Sequence, residues 1–296
     1  SIGIAAPLML VALRFIQGLA VGGQWGGAML LVTESAPSNK RGWYGAYAQA
    51  GAAVGVILAN LAFLAVSTSM SDDAFTEWGW RLPFIASIIL IGISLYVQLR
   101  MEDTAAFKAL KAAQAEAGEQ EVVPKSPVLE AIRRYPRRIM LAAGAFLSVQ
   151  VTFYILIAFV IAYGLNSPSV ELTRDEMLIS VLIAAAAMIP ALFYFSGMSD
   201  RVGRKQIYRW GAILTGAWGF ALFPLIDTGS HFMITLALTM GMIFLGMQYG
   251  PQAAYFTELF STEVRYSGAS LGYQIGAILG GALAPTIAVL LWTELG

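Results

Sequence analysis

The chain has 296 residues, of which 58% are hydrophobic and only 12% are charged, whereas soluble domains are usually about 45–50% apolar and about 25% charged. This composition excludes an ordinary soluble enzyme and predicts an integral membrane protein. Lys plus Arg equals Asp plus Glu at 18 each, and the chain has no Cys and one His, which disfavours nucleic-acid binding, disulfides and metal centres built from Cys and His.

Eight apolar stretches follow one another along the chain, each close to the roughly 20 residues that a membrane-spanning helix requires. No alternation of apolar and polar residues, which is typical of strands, competes with them. The sequence therefore predicts an all-α, polytopic membrane protein. The predicted spans are 7–33, 43–67, 81–99, 139–164, 177–197, 207–226, 231–257 and 267–292.

The distribution of basic residues predicts the orientation of these spans. Most of the 18 Lys and Arg residues fall in alternate loops, and basic loops stay on the cytoplasmic side, where they contact membrane lipids. The opposite loops carry only Arg81 and Arg174. The first span is therefore predicted to run from outside to inside, with Arg14 as the one base within a span.

The longest loop, 100–138, is charged and is predicted to separate two membrane domains. Residues 104–118 are rich in Ala, Glu and Lys and are expected to form an interfacial or solvated helix, which the following prolines end. An ordinary long loop is the alternative. The predicted division is 1–100 for the last part of an N-terminal helical bundle, 101–137 for a cytoplasmic linker, and 138–296 for a C-terminal bundle without its last helix.

A short motif occurs twice with nearly the same internal spacing. An even number of predicted spans separates the copies, so both have the same orientation, which is typical of a transporter built from two parallel six-helix halves. The chain is then expected to be a fragment that covers about helices 4 to 11 of 12. The two copies are Thr33, Glu34, Arg41, Gln49, Gly51 and Gly55, and Thr257, Glu258, Arg265, Gln274, Gly276 and Gly280.

Polar residues inside the predicted spans are candidates for binding a solute or for coupling. An Arg within a span is costly and normally faces a water-filled cavity or a partner, so Arg14 is the first candidate for binding a carboxylate; a side chain that reaches the outer interface is the alternative. Amides and phenols suit a small polar solute, although each could instead bond neighbouring helices. The binding candidates are Arg14, Gln17, Gln24, Gln150, Tyr154, Gln252, Tyr255 and Gln274.

Charged residues at the predicted cytoplasmic ends are candidates for a conformational latch. Glu34 with Arg41, and Glu258 with Arg265, are expected to form ion pairs that break and re-form as the two bundles rock. Asp200 can accept hydrogen bonds from a helix N-terminus or from Arg265. The latch candidates are Glu34, Arg41, Asp200, Arg201, Glu258 and Arg265.

Several motifs resemble the metabolite:proton symporter family of the major facilitator superfamily. The resemblance implies a bacterial inner-membrane permease, a monomer, that imports a small metabolite such as shikimate, α-ketoglutarate, proline or betaine by alternating access. It implies no cofactor other than the coupling proton. The motifs are Arg14-Phe-Ile-Gln-Gly18, Gly22-Gly-Gln-Trp-Gly-Gly27, Trp78-Gly-Trp-Arg-Leu-Pro-Phe84, Ser199-Asp-Arg-Val-Gly-Arg-Lys205, Tyr249-Gly-Pro-Gln-Ala-Ala254 and Arg265-Tyr-Ser-Gly-Ala-Ser-Leu-Gly-Tyr-Gln274.

Two positions depart from the family pattern, and both replace a potential carboxylate by an amide. Gln24 stands where the family usually has Glu, and Gln150 lies where relatives have a polar stretch with a Glu. A uniporter or an efflux carrier without proton coupling is therefore the main alternative. A membrane enzyme is disfavoured because the sequence shows no recognisable nucleophile, metal cluster or paired carboxylates, and a channel is disfavoured because no selectivity filter is recognisable.

Overall fold

The described residues of the computed structural model are 3–21, 24–100, 108, 126–167, 169–170, 172–261 and 264–295. Within these ranges the regular structure is entirely helical, which confirms the all-α prediction. The principal helices are α1 Ala5–Val21, α2 Gln24–Ser35, α3 Arg41–Thr68, α4 Asp72–Glu77, α5 Leu82–Arg100, α6 Pro127–Arg134, α7 Pro136–Asn166, α8 Arg174–Val202, α9 Arg204–Ile226, α10 His231–Glu258 and α11 Arg265–Glu294.

Among the described residues, 7 helices are long and apolar enough to cross a membrane. They coincide with the predicted spans from 43–67 onward. The first predicted span, 7–33, corresponds to α1 and α2, which lie on either side of residues outside the described ranges. The helix predicted over 104–118 also lies outside the described residues, apart from Lys108.

The turn between α8 and α9 shows how local sequence positions a functional carboxylate. α8 begins with a capping box, in which the Thr173 hydroxyl accepts from the Glu176 backbone N–H and the Glu176 carboxylate accepts from the Thr173 N–H at 2.8 Å. It ends at Gly203, whose φ of 105° lies in the region that favours glycine. Because α9 starts at the next residue, Arg204 folds back onto Asp200 in the last turn of α8.

α7 to α11 form one group of packed helices, which we call the second group. α10 is its central helix: buried residues occur along its whole length, and α8 and α9 flank it. α11 packs closely on α7 through small residues, since a Cβ at Gly276 would lie 2.7 Å from the Ala143 carbonyl oxygen. Both helices contain a π-helical turn, at Ile155–Phe159 in α7 and at Ile278–Ala282 in α11.

α3 connects the first group of helices, α1 to α5, to the second. Its buried residues all lie between Gly42 and Ala53, where it packs against α8 and α10. By contrast, a Cβ at Gly55 would meet no atom of the described chain within 4 Å. The two groups therefore meet near the start of α3. We call this end, where Arg41, Arg204 and Arg265 begin three helices, the basic end.

Candidate functional site

A cavity of about 130 Å³ lies between α3 of the first group and α7, α10 and α11 of the second. Phenol, phenyl and amide groups line it together with small aliphatic side chains, and no Asp, Glu, Lys or Arg occurs among the described lining residues. Such a surface can hold a small polar organic solute through hydrogen bonds and ring contacts. The lining residues are Ala52, Val149, Gln150, Phe153, Tyr154, Leu245, Tyr249 and Tyr273.

Four aromatic rings close this cavity toward the basic end, and we call them the aromatic floor. Trp25 of α2 stacks on Tyr273 with ring centroids 4.3 Å apart, and it also packs against Phe146 at 6.2 Å and Phe256 at 6.1 Å. Along α7 and α10, Phe146 and Phe256 lie nearer the basic end than the cavity-lining residues. Rings in such tilted and stacked arrangements attract each other beyond their area of contact, so the floor joins the two groups firmly.

Gln49 of α3 lies at the level of the aromatic floor and bridges the two groups. Its side chain is fully buried. Its Oε1 accepts a hydrogen bond from Trp25 Nε1 at 3.2 Å, and its Nε2 donates to the Tyr249 carbonyl at 2.8 Å. The amide thereby uses one donor and its acceptor within an apolar environment, where unpaired polar groups are costly.

At the basic end, Asp200 of the second group caps the N-terminus of α3. Its two carboxylate oxygens accept from the Gly42 and Trp43 backbone N–H groups, both at 2.9 Å. Lys40, the N-cap residue, supplies no side-chain acceptor, so the cap comes entirely from the other group. A carboxylate is favourable at a helix N-terminus, where N–H groups and the helix dipole point toward it. Of the two predicted partners of Asp200, the helix N-terminus is the one observed, because Arg204 of the same turn supplies the cation.

The two copies of the repeated motif meet beside this cap. Thr33, Glu34 and Arg41 line a space of about 10 Å³ together with their counterparts Thr257, Glu258 and Arg265. The repeat also shows in local bonding, since the Thr33 hydroxyl donates to the Met29 carbonyl at 2.7 Å and the Thr257 hydroxyl donates to the Ala253 carbonyl at 3.1 Å. Each Thr therefore makes the same bond to the residue four positions earlier.

The ion pairs at the basic end differ from the predicted ones. Arg265 pairs with Glu34 at 2.9 Å, and Glu258 pairs with Arg204 at 3.3 Å. The predicted pairs joined residues of the same copy. Glu34 at the end of α2 instead faces Arg265 of the other copy, and Glu258 at the end of α10 faces Arg204, which belongs to neither copy. Each carboxylate is therefore paired with a cation from another helix. Two predicted latch residues, Arg41 and Arg201, form no ion pair within the described part of the chain. Arg41 lines the small space between the copies, and Arg201 is exposed.

The structure places two predicted binding residues, Gln150 and Tyr154, in the cavity lining. Arg14 and Gln17 lie on the exposed helix α1, where the Arg14 guanidinium donates to Gln17 Oε1 at 3.1 Å, and neither lines the cavity. Gln24 is exposed at the start of α2 and is also outside the lining.

The predicted binding residues of α10 and α11 lie beside the cavity and outside its lining. Gln252 is fully buried and donates to the Tyr208 hydroxyl at 3.3 Å, so it bonds α10 to α9. Tyr255 packs near the Tyr208 ring at 5.8 Å. Gln274 is half-buried next to Tyr273 in α11. Interhelical bonding, the alternative considered for such amides, describes Gln252 in this structure.

Sequence reasoning missed most residues of the cavity and its floor, among them the aromatic residues Trp25, Tyr249 and Tyr273. Aromatic residues are common in apolar spans, so nothing in their spacing distinguishes them from lipid-facing rings. Gln49 was identified only as a repeat position. The signal that could have identified Gln49 is an amide side chain within an apolar helix, because polar residues are rare in membrane spans and usually have a partner there.

Residues 1–285 of the chain match the family model of the Major Facilitator Superfamily. The inner membrane metabolite transport protein YhjE of Escherichia coli K12 is 37% identical over 100% of this chain and 66% of its own length.

Two other relatives carry more specific names. The shikimate transporter of Escherichia coli K12 is 36% identical over 99% of this chain and 66% of its own length. The proline/betaine transporter of Salmonella typhimurium LT2 is 32% identical over 98% of this chain and 58% of its own length. The chain thus spans about two thirds of the length of the first two of these relatives and less of the third.

Proposed function

Because the chain belongs to the major facilitator superfamily, we propose that the protein imports a small polar metabolite, an organic acid or a zwitterion, by proton symport. The family and the names of the relatives make it a multi-pass membrane transporter and not an enzyme. The choice of solute, the coupling to protons and the direction of transport belong to the proposal.

The observation that carries the proposal is a cavity between two helix groups that is closed toward one end. The lining comes from both groups, and the aromatic floor and the Asp200 cap close the basic end. A carrier that works by alternating access holds its solute at such an interface and opens to each side in turn. Separation of the groups at the basic end would expose the same cavity to the opposite side of the membrane.

The basic end is proposed to face the cytoplasm of a bacterial cell. The turn from Asp200 to Lys205 and the start of α7 place most of their charges there as Arg and Lys, and basic loops stay on the cytoplasmic side. YhjE is named as an inner membrane protein, which supports the same membrane for this protein. The described state is then closed to the cytoplasm, and we propose that a monomer carries out transport, with lipids around it and no cofactor besides the proton.

Transport without proton coupling is the second candidate. The described lining residues include no carboxylate, and an amide occupies both positions, 24 and 150, at which relatives were expected to carry an acid. To couple the two movements, a carrier needs a titratable group whose protonation changes the affinity for the solute or the balance of conformations. A uniporter or an efflux carrier remains the alternative for that reason.

Uptake assays on the full-length protein in membrane vesicles test the proposal. Labelled shikimate, α-ketoglutarate, proline and glycine betaine are supplied with an inward proton gradient, with and without a protonophore. We expect one solute to accumulate, and we expect the protonophore to abolish its accumulation. Tyr154→Ala, which removes a ring from the cavity, is expected to lower that uptake about tenfold or more, while Tyr194→Ala, at an exposed ring of α8, changes it little.

Each outcome of this assay separates two readings. Accumulation that persists after uncoupling would reject symport and favour another energy source, and equilibration without accumulation would favour the uniporter. Equal loss of uptake in the Tyr154 and Tyr194 variants would show that the cavity is not the site.

The ion pair between Arg265 and Glu34 is expected to hold the basic end closed. Its side chains are 23% and 12% exposed, so the pair is partly shielded from water and salt. Removing one partner leaves the other charge poorly solvated, and we expect Arg265→Ala to shift the protein toward the open basic end and to lower uptake about three- to tenfold. A cysteine introduced at Ala46, which is fully buried between the groups, reports the shift as faster alkylation.

Arg201→Ala is the matched control, since Arg201 carries the same charge at the same end but is exposed and forms no ion pair in the described part of the chain. It is expected to alter uptake and alkylation by less than about twofold. If Arg265→Ala behaves like Arg201→Ala, the ion pair has no part in holding the closed state.

A further inference from the structure

We propose that Gln49 is a positioning residue that closes the cavity on its inner side, by bonding the first helix group to the backbone of the cavity wall. The inference rests on the proposed carrier function and adds a neutral gate inside the membrane to the charged contacts at the surface. Its basis is the pair of hydrogen bonds that one buried amide makes, to Trp25 in its own group and to Tyr249 in the other.

Gln49 lies next to the wall of the cavity. Ala52, one turn further along α3, lines the cavity, and so does the side chain of Tyr249. The Tyr249 carbonyl accepts from Gln49 at 2.8 Å, so the bond lies directly behind a wall residue. A displacement of α10 that widened the cavity toward the basic end would have to break this bond.

Gln49 is also bonded to the aromatic floor. Trp25 donates its indole N–H to Gln49 and stacks on Tyr273, another lining residue, at an interplanar angle of 20°. Gln49 therefore fixes the orientation of the Trp25 ring that covers Tyr273. One partner of the amide, Tyr249, therefore lines the cavity itself, and the other, Trp25, contacts the lining residue Tyr273.

The bond from Gln49 to the Tyr249 carbonyl crosses between the two groups, so it forms only while the basic end is closed. In the closed state Gln49 is fully buried, and an unpaired amide there is costly. When the groups separate, the amide and the Tyr249 carbonyl part and face the opening, where water replaces the lost bonds. The bridge therefore shifts the equilibrium toward the closed state by its differential interaction with the two states.

The bridge also differs in kind from the contacts at the basic end. The Asp200 cap and the Arg265 pair involve charges that are partly shielded from solvent, so salt weakens them only in part. Gln49 is neutral and lies among Ala46, Ala50 and Ala53, the other buried residues of its helix face. Its contribution to closure should not change with ionic strength.

Alkylation of a reporter cysteine tests the inference in the full-length protein. The chain has no cysteine of its own, so Ala46→Cys provides a single site in this region, between the groups near the basic end. Gln49→Met keeps the volume of the side chain but removes its donor and acceptor. We expect it to raise the rate of alkylation by N-ethylmaleimide about tenfold, with the same increase at low and high salt. In uptake assays we expect the KM to rise while the amount of folded protein stays unchanged.

Gln248→Met is the matched control. Gln248 is also fully buried and doubly bonded, accepting from Ser148 at 3.0 Å and donating to Thr215 at 2.7 Å. All of its partners belong to the second group, so its loss should weaken that group without opening the interface. We expect alkylation in this variant to stay within about twofold of the parent.

The outcomes distinguish the inference from the proposed function. Unchanged alkylation in Gln49→Met, or an equal increase in Gln248→Met, would overturn the gate. Trp25→Phe gives a second test if Gln49→Met does not fold, because it keeps an aromatic ring beside Tyr273 and removes the indole donor that holds the Gln49 amide in place for its bond to Tyr249. Parental alkylation in this variant would also count against the gate. Alkylation requires no solute, so failure of every solute in the uptake panel would contradict the carrier function and leave the gate measurement intact.

Discussion

Asp200→Asn is expected to open the basic end and to lower uptake by about tenfold or more. The carboxylate accepts from two backbone N–H groups of α3, at Gly42 and Trp43, and pairs with Arg204. An Asn side chain has one acceptor oxygen, and its NH2 group would face a backbone donor. Hydrogen bonds to a charged acceptor contribute about 1.5–3 kcal/mol each, so the closed state should lose roughly that much relative to the open state.

The measurement is alkylation of Ala46→Cys together with uptake, as for the Arg265 variant. Asp175→Asn is the matched control, because Asp175 is exposed in the first turn of the same helix at the opposite end. We expect that control to match the parent. High salt should reduce the difference between Asp200→Asn and the parent only modestly, because the Arg204 and Asp200 side chains are 12% and 6% exposed and are therefore screened weakly. Parental alkylation in Asp200→Asn would show that the cap does not control closure.

Gly276→Ala is expected to destabilise the second group. The new Cβ would lie 2.7 Å from the Ala143 carbonyl oxygen, 3.0 Å from Phe146 Cβ and 3.1 Å from the Leu147 N. Two of these atoms are backbone, so α7 and α11 must move apart. Overpacking of this kind costs about 1–3 kcal/mol, which exceeds the roughly 1 kcal/mol that Ala gains over Gly in a helix.

Gly216→Ala in α9 should change stability in the opposite direction. A Cβ at Gly216 would meet nothing within 4 Å, so only the helix-propensity gain remains. Thermal unfolding in detergent, followed by size-exclusion chromatography, measures both variants. If Gly276→Ala unfolds at the same temperature as the parent or above it, α7 and α11 are not held at the contact distance described here.

The fold could be predicted largely from apolar length. A stretch such as 177–197 has no polar interruption long enough to be a loop, and it became α8, Arg174–Val202. The helix is longer than the predicted span at both ends, because its ends are set by the capping box at Thr173 and the positive φ of Gly203, which lie outside the apolar stretch. The π turn at Ile155–Phe159 left no such signal, since its residues are as apolar as their neighbours.

The candidate site was predictable only where polarity is rare. Gln150 and Tyr154 were identified because they interrupt apolar surroundings, and they line the cavity. The partners of Glu34 and Glu258 were not predictable, because they depend on which helix ends face each other across the interface. The spacing suggested pairs within each copy, whereas the packing of α2 against α11 brings Glu34 to Arg265, and the packing of α9 against α10 brings Arg204 to Glu258.

Because of the cap on α3, the backbone amides of Gly42 and Trp43 report the conformational state of the protein. The Gly42 and Trp43 N–H groups are at the first turn of α3, where no helical carbonyl precedes them, so Asp200 is their acceptor. Their exchange with deuterium is slow only while the two groups are together. Hydrogen exchange at these two positions therefore measures the fraction of molecules with an open basic end, in unmodified protein, and a solute that changes that fraction reveals which state it binds.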